Sequence, residues 1–137
     1  MKRIVLIAAA LLMVQCQTTW FHPDAEVCGV LVQWNAQPPV AEEMCRTIRH
    51  AEYNLGRKFL PGARAFFVAD ATKKCGYQDT GIKLVGCWDV GSDMAFLQYG
   101  FPQAIAHELL HRDQCFENDY CPIDYDHSDP DWALLYN

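Results

Sequence analysis

The sequence is short of basic residues, with 11 lysines and arginines against 17 acids and a formal charge of −6. It has no stripe of Lys and Arg, which argues against recognising nucleic acid or anionic lipid by electrostatics. None of the seven cysteines falls in a Cys-x-x-Cys pair, so a thiolate metal cluster or a thioredoxin-like redox pair is disfavoured. Internal repeats and low-complexity stretches are absent, and 51% hydrophobic with 20% charged residues excludes a disordered chain. The longest apolar run, Ile4 to Val14, is too short to span a bilayer comfortably. A length of 137 residues leaves room for one core rather than two.

What is present begins at the amino terminus. Met1-Lys2-Arg3 followed by Ile4 to Val14 has the charged and apolar regions of a secretory signal. The only cluster of small residues, Ala8-Ala9-Ala10, lies inside the apolar region, and the run instead closes at Cys16. An apolar run ending on a cysteine resembles a bacterial lipoprotein signal. That resemblance implies removal of residues 1–15, lipidation of Cys16, and an exported protein held on a membrane facing the periplasm or exterior. Met13-Val14-Gln15 departs from that family's preference for Leu followed by small residues. The plain alternative is a signal peptide cut a little further on.

Cysteine arithmetic supports the same reading. Setting Cys16 aside leaves Cys28, Cys45, Cys75, Cys87, Cys115 and Cys121, an even set for three disulfides in an oxidising compartment. Their connectivity is open, with the sequence-local pairs Cys75–Cys87 and Cys115–Cys121 the cheapest. Loss of Lys2 and Arg3 with the signal leaves a mature charge of about −8.

Residues 16–26 read as a polar tether, and 27–137 as the folded domain. A first strand is expected over Val27–Trp34. Val40, Met44, Ile48, Ala51 and Leu55 then stripe one face of a helix, with Pro39 at its first position and Gly56 as its stop. Phe66-Phe67-Val68 marks a strand between Ala63 and Ala69. A polar loop with Lys73, Lys74 and Gly76 follows. Ile82, Leu84, Gly86, Trp88 and Val90 alternate as a second strand in this stretch, and Met94–Tyr99 forms another whose Phe96-Leu97 breaks the alternation. The expected fold class is α+β, a small sheet of three or four strands with a packing helix.

After Pro102 comes a helix carrying His107-Glu108-Leu109-Leu110-His111, an H-E-x-x-H motif. Residues four apart on a helix lie one turn above each other, so both imidazoles can reach one zinc ion. Glu108, one step round, can lie against a water as a general base without binding the metal. Ile105, Ala106, Leu109 and Leu110 supply an apolar face to anchor the helix. A chance match in a chain of this composition has a probability of roughly one in a hundred, so the motif is read as a real site.

A catalytic zinc usually takes three protein ligands. The metzincin pattern H-E-x-x-H-x-x-G-x-x-H requires glycine and histidine where this chain has Gln114 and Glu117. His127 is the only histidine after the motif and is the preferred third ligand, with Asp129, Asp126, Asp124 and Glu117 as competitors. A distal histidine followed within a few residues by tryptophan, here His127 and Trp132, resembles the SprT-like and related short zincins. The resemblance covers only the last third of the chain, and implies a zincin-like fold and hydrolysis of protein or peptide by a zinc metallopeptidase. A shallow cleft is expected from so small a domain. Two rivals remain: a non-catalytic envelope lipoprotein stapled by zinc, and a zinc hydrolase acting on cell-wall peptides.

Other residues invite weaker readings. His50 lies on the polar side of the first helix and His22 in the tether, both without an expected role. Trp88 is read as a core residue, or alternatively as part of an edge that pairs with extended peptide. Tyr120, Tyr125 and Tyr136 could each stabilise an oxyanion, with nothing to choose among them.

Overall fold

A computed structural model describes residues 21–118, 121 and 127–137. The expectations placed on the signal segment, Cys16, Tyr120, Asp124, Tyr125 and Asp126 lie outside the described residues. Among the described residues, no helix is long and apolar enough to cross a membrane.

The α+β class holds, with a five-stranded mixed sheet. Its strands are β1 (Ala25–Val27), β2 (Val30–Trp34), β3 (Arg64–Val68), β4 (Gly86–Asp89) and β5 (Met94–Gln98), in the spatial order β1-β2-β3-β5-β4. The central pairs β2–β3 and β3–β5 are parallel, and both outer pairs are antiparallel. Among the described residues four helices accompany the sheet: α1 (Ala41–Leu55), α2 (Ala71–Lys74), α3 (Ile105–Asn118), which a 3-10 turn at Pro102–Ala104 leads into, and α4 (Pro130–Leu135).

Where one strand was expected over Val27–Trp34, the chain makes a hairpin. Cys28 and Gly29 both adopt positive φ, 48° and 83°, the twist that a two-residue hairpin turn demands. Because β1 starts at Ala25, the last two residues assigned to the tether belong to the sheet. Asp24 is also tied in, its carboxylate accepting from the Trp34 amide at 2.9 Å.

Helix α1 buries Met44, Ile48 and Ala51 as its stripe demands, and stops at Gly56 in the left-handed conformation. It starts two residues after Pro39, because Val40 stays extended as the N-cap and leaves its side chain 59% exposed. The expected loop at Lys73 and Lys74 is instead the short helix α2, capped by the Asp70 carboxylate on the Lys73 amide at 2.9 Å.

Two expectations about strands change for one reason, namely which faces are covered. Strand β5 is buried on both sides: Ala95 and Leu97 meet α1 and α3, whereas Met94 and Phe96 meet α2. Strands covered on both faces read as continuous apolar runs, so the broken alternation at Phe96-Leu97 marks a central strand. The alternation from Ile82 to Val90, by contrast, overstates β4, which spans only Gly86–Asp89. Ile82 and Val90 are exposed and belong to the loops on either side of it.

The main core joins Val27, Val30, Val32, Ala65, Phe67 and Leu97 of the sheet to Met44 and Ile48 of α1 and Ile105 and Leu109 of α3. A second cluster of Ala51, Ala106, Leu110, Trp132 and Leu135 clamps α4 onto α1 and α3. The six cysteines pair as Cys28–Cys45, Cys75–Cys87 and Cys115–Cys121, with Cα separations of 5.3, 6.2 and 4.4 Å. Both sequence-local pairs therefore stand, and Cys28–Cys45 ties the hairpin turn to α1.

Candidate metal centre

Helix α3 enters the core along Ile105, Leu109 and Leu110, which leaves His107 and His111 on its open side. Their ring nitrogens sit where helical spacing puts them, Nε2 to Nε2 at 3.2 Å. His127 arrives from the tail and sets its own Nε2 3.2 Å from His107 Nε2. Its backbone is left-handed, with φ of 47°, a conformation that costs a non-glycine residue energy and clusters at functional sites.

This convergence suits a cation better than it suits hydrogen bonding. A neutral imidazole has one N–H and one lone pair. His107 Nε2 faces two other ring nitrogens while its Nδ1 already faces the Tyr136 hydroxyl at 2.6 Å. Even where Tyr136 donates to Nδ1, a single Nε2–H cannot be directed at both His111 and His127. A tetrahedral ion with metal–nitrogen bonds of about 2.0–2.1 Å holds its ligand nitrogens roughly 3.3 Å apart, close to the spacing here. Among the described residues, these three histidines are the group of side chains that could hold a metal ion. Three imidazoles and no carboxylate suit zinc or a neighbouring transition metal, and do not suit calcium or magnesium.

Trp132 fills the space behind the triad. It is buried, and its ring centroid lies 4.7, 4.6 and 4.2 Å from those of His107, His111 and His127. Helix α4 carries Trp132 and ends at Tyr136, its C-cap, in a stretch where the sequence led to no expected helix. Asp129 caps it, accepting from the Asp131 amide at 2.9 Å, and Pro130 takes its first position. Asp129, a competitor for the metal, is thus occupied as a cap. Glu117, another competitor, lies 3.8 Å from Arg57 instead.

The same Arg57 anchors α4 to the motif helix. Its guanidinium bonds Asp113 of α3 at 2.9 Å and Asp131 of α4 at 3.0 Å. Asp113 is fully buried, and burial raises its carboxyl above the usual range while the Leu60 amide and Arg57 pull it back. Beside it, buried Arg112 bonds Asp93 at 2.8 Å and the Leu60 and Pro61 carbonyls at 3.0 Å. Asp93 also accepts from the Trp88 indole at 3.1 Å, linking the cleft wall to α3. Asp93, Arg112 and Asp113 carried no motif signal; they became visible only through tertiary contacts.

Glu108 is 5% exposed. Burial pushes its carboxyl up to about 8, with the Trp88 backbone amide acting in the opposite direction. Its room is provided by Gly86. A Cβ at that position would come within 3.1 Å of Glu108 Oε1 and 2.9 Å of Leu97. Burial, followed by the nearby charge of His127, lowers His107 to about 4, so this imidazole is neutral at physiological pH, as a ligand must be. A His107 that offers Nε2 to a metal carries its proton on Nδ1 and donates it to Tyr136, which fixes the tautomer and the ring plane. Burial and then the charge of Glu108 raise the Tyr136 phenol, keeping it protonated. Tyr136 is therefore assigned to His107 rather than to an oxyanion.

Comparison with protein-family models, with curated proteins and with solved structures yields no match.

His107, Glu108, His111 and His127 line one cleft of about 810 Å³, whose other wall is β4 with Trp88 and the residues flanking it. The loop before β4 and the Cys115–Cys121 pair complete its lining. Trp88 is half-buried in that wall, not a core residue. His50 and His22 lie elsewhere: His50 contacts Asn54 at 3.2 Å on exposed helix surface, and the His22 amide donates to Gln33.

Proposed function

We propose that this chain is a zinc metallopeptidase of the H-E-x-x-H class on a zincin-like fold, with His107, His111 and His127 as metal ligands and Glu108 as general base. The observation that carries the reading is the meeting of three imidazoles, with His111 and His127 each bringing Nε2 to 3.2 Å from His107 Nε2, in a cleft that also holds an unligated carboxylate. A zinc ion held there supplies Lewis acidity, polarising a scissile carbonyl and lowering the pKa of water.

The chain's own residues supply the rest. Glu108 takes a proton from the attacking water and hands it to the leaving amine. Burial holds the Glu108 carboxyl above the usual range, and a neighbouring divalent cation would draw it back toward the ionised form that a general base needs. Strand β4 is one of the two edges of the sheet, the one on the cleft. The Val85 carbonyl accepts from the Gln98 amide, so by antiparallel alternation Cys87 and Asp89 bond toward β5, while Gly86 and Trp88 face the open side. The Trp88 amide serves Glu108 there, and the remaining groups offer an extended peptide a short ladder.

The proposal includes export and a lipid anchor at Cys16. The pairing of all six other cysteines supports an oxidising compartment.

Burial of Glu108 also favours a rival in which zinc staples the fold without catalysis. A Glu108→Gln variant decides between them. The expected outcome is zinc content equal to wild type, with casein hydrolysis reduced by about a thousandfold or more. Wild-type hydrolysis that is absent, or that persists in the variant or under a chelator, refutes the peptidase reading. Parallel assays on cell-wall sacculi separate protein from cell-wall peptide as the substrate.

A further inference from the structure

The wall opposite the metal ligands is the least explained surface of the molecule. Ile82 and Val90 leave 50% and 59% of their surface to water, flanking β4 on either side of the half-buried Trp88. Tyr77 and Leu84 continue the same wall. No core claims Ile82 or Val90, yet they alternate in sequence with Leu84 and Trp88 toward one cleft. Water would be released from this surface if an apolar group covered it.

Charged groups on the cleft are few, and none of Lys74, Asp89 and Glu108 lies on the face that Ile82, Trp88 and Val90 make. The Lys74 ammonium lies 4.8 Å from the centre of the Phe96 ring. The Asp89 carboxylate accepts from both the amide and the hydroxyl of Ser92. Glu108 belongs to the chemistry. A charged side chain laid against Ile82, Trp88 and Val90 loses hydration to apolar surface, whereas an apolar one loses nothing comparable.

We propose that this wall sets specificity, and that it takes a bulky uncharged apolar side chain, of leucine or phenylalanine type, next to the scissile bond of an extended peptide. The inference rests on the peptidase reading and names its substrate class. A cleft of this volume accommodates such a side chain together with several backbone units.

The test has a binding arm and a cleavage arm. In the first, blocked tripeptide amides with Leu, Phe, Asp or Lys at the centre are titrated into full-length, oxidised, zinc-loaded Glu108→Gln protein, and binding is followed by tryptophan fluorescence and by chemical shifts. The Leu and Phe peptides should bind at least about fivefold tighter than the Asp and Lys peptides. The double variant Ile82→Asp, Val90→Asp, whose substitutions fall on exposed positions, should abolish that preference while holding the same zinc. In the second arm, wild type should cleave the Leu and Phe peptides with kcat/KM at least about tenfold above the charged ones. Equal or reversed preference in either arm overturns the proposal, as does a double variant that retains it. Intact binding preference with no cleavage by wild type would sink the peptidase reading and leave the apolar wall standing.

Discussion

His107 and His111 converge because one turn of α3 separates them, whereas His127 reaches the same point from a tail that needs a left-handed backbone, a buried tryptophan and an arginine clamp. One half of the site is made by local geometry. The other half is made by tertiary packing. A helical pair survives most changes elsewhere in the protein, so the tail is where the centre should be tunable and also where it should fail first.

That contrast can be broken in order of severity. Substituting His111→Ala removes one member of the helical pair, and micromolar zinc binding should vanish in equilibrium dialysis; full retention would mean the motif does not hold the metal. Arg57→Ala leaves Asp113 buried without its cation and frees Asp131, which should cost about 2–4 kcal/mol in denaturant unfolding and weaken zinc binding through the tail. An unchanged midpoint would show that the clamp contributes nothing. Tyr136→Phe keeps the ring but removes the acceptor of His107 Nδ1–H, so zinc affinity should fall about tenfold while the metal-free protein melts as before. Equal affinity would mean the contact is incidental. Smallest of all, Asp129→Ala removes a helix cap and should cost about 1 kcal/mol of stability with zinc stoichiometry unchanged. Loss of the metal in that variant would return Asp129 to the ligand set.

The same division explains what could be read from the sequence. Helix α1 and the motif helix were legible because each repeats an apolar pattern over 14 or 15 residues. Helix α4 has six residues, too few for a period, although Asp129-Pro130 at its start and the spacing of Trp132 and Leu135 were a usable signal. The extended reading of Ile82 to Val90 came from alternation that serves a cleft rather than a core. A pattern of apolar residues reports a covered or coverable face, without saying what covers it. Similarly, Cys28-Gly29 hid a turn inside what looked like one strand, since only Gly29 has turn chemistry. His127 and Trp132 were paired by resemblance; the centroid distances supply the physical reason, a tryptophan against all three imidazoles. Gly86 shows the converse limit: its role is the space it leaves for Glu108, and no one-dimensional pattern records that.

The most direct test of the central claim is zinc stoichiometry and affinity for the oxidised wild-type chain beside His127→Ala, measured by competition with a chromophoric chelator. Three imidazoles around one ion require one tightly held zinc per wild-type chain and a large loss of affinity in the variant. Wild-type protein that stays metal-free in excess zinc, or a variant that binds as tightly as wild type, would contradict the account.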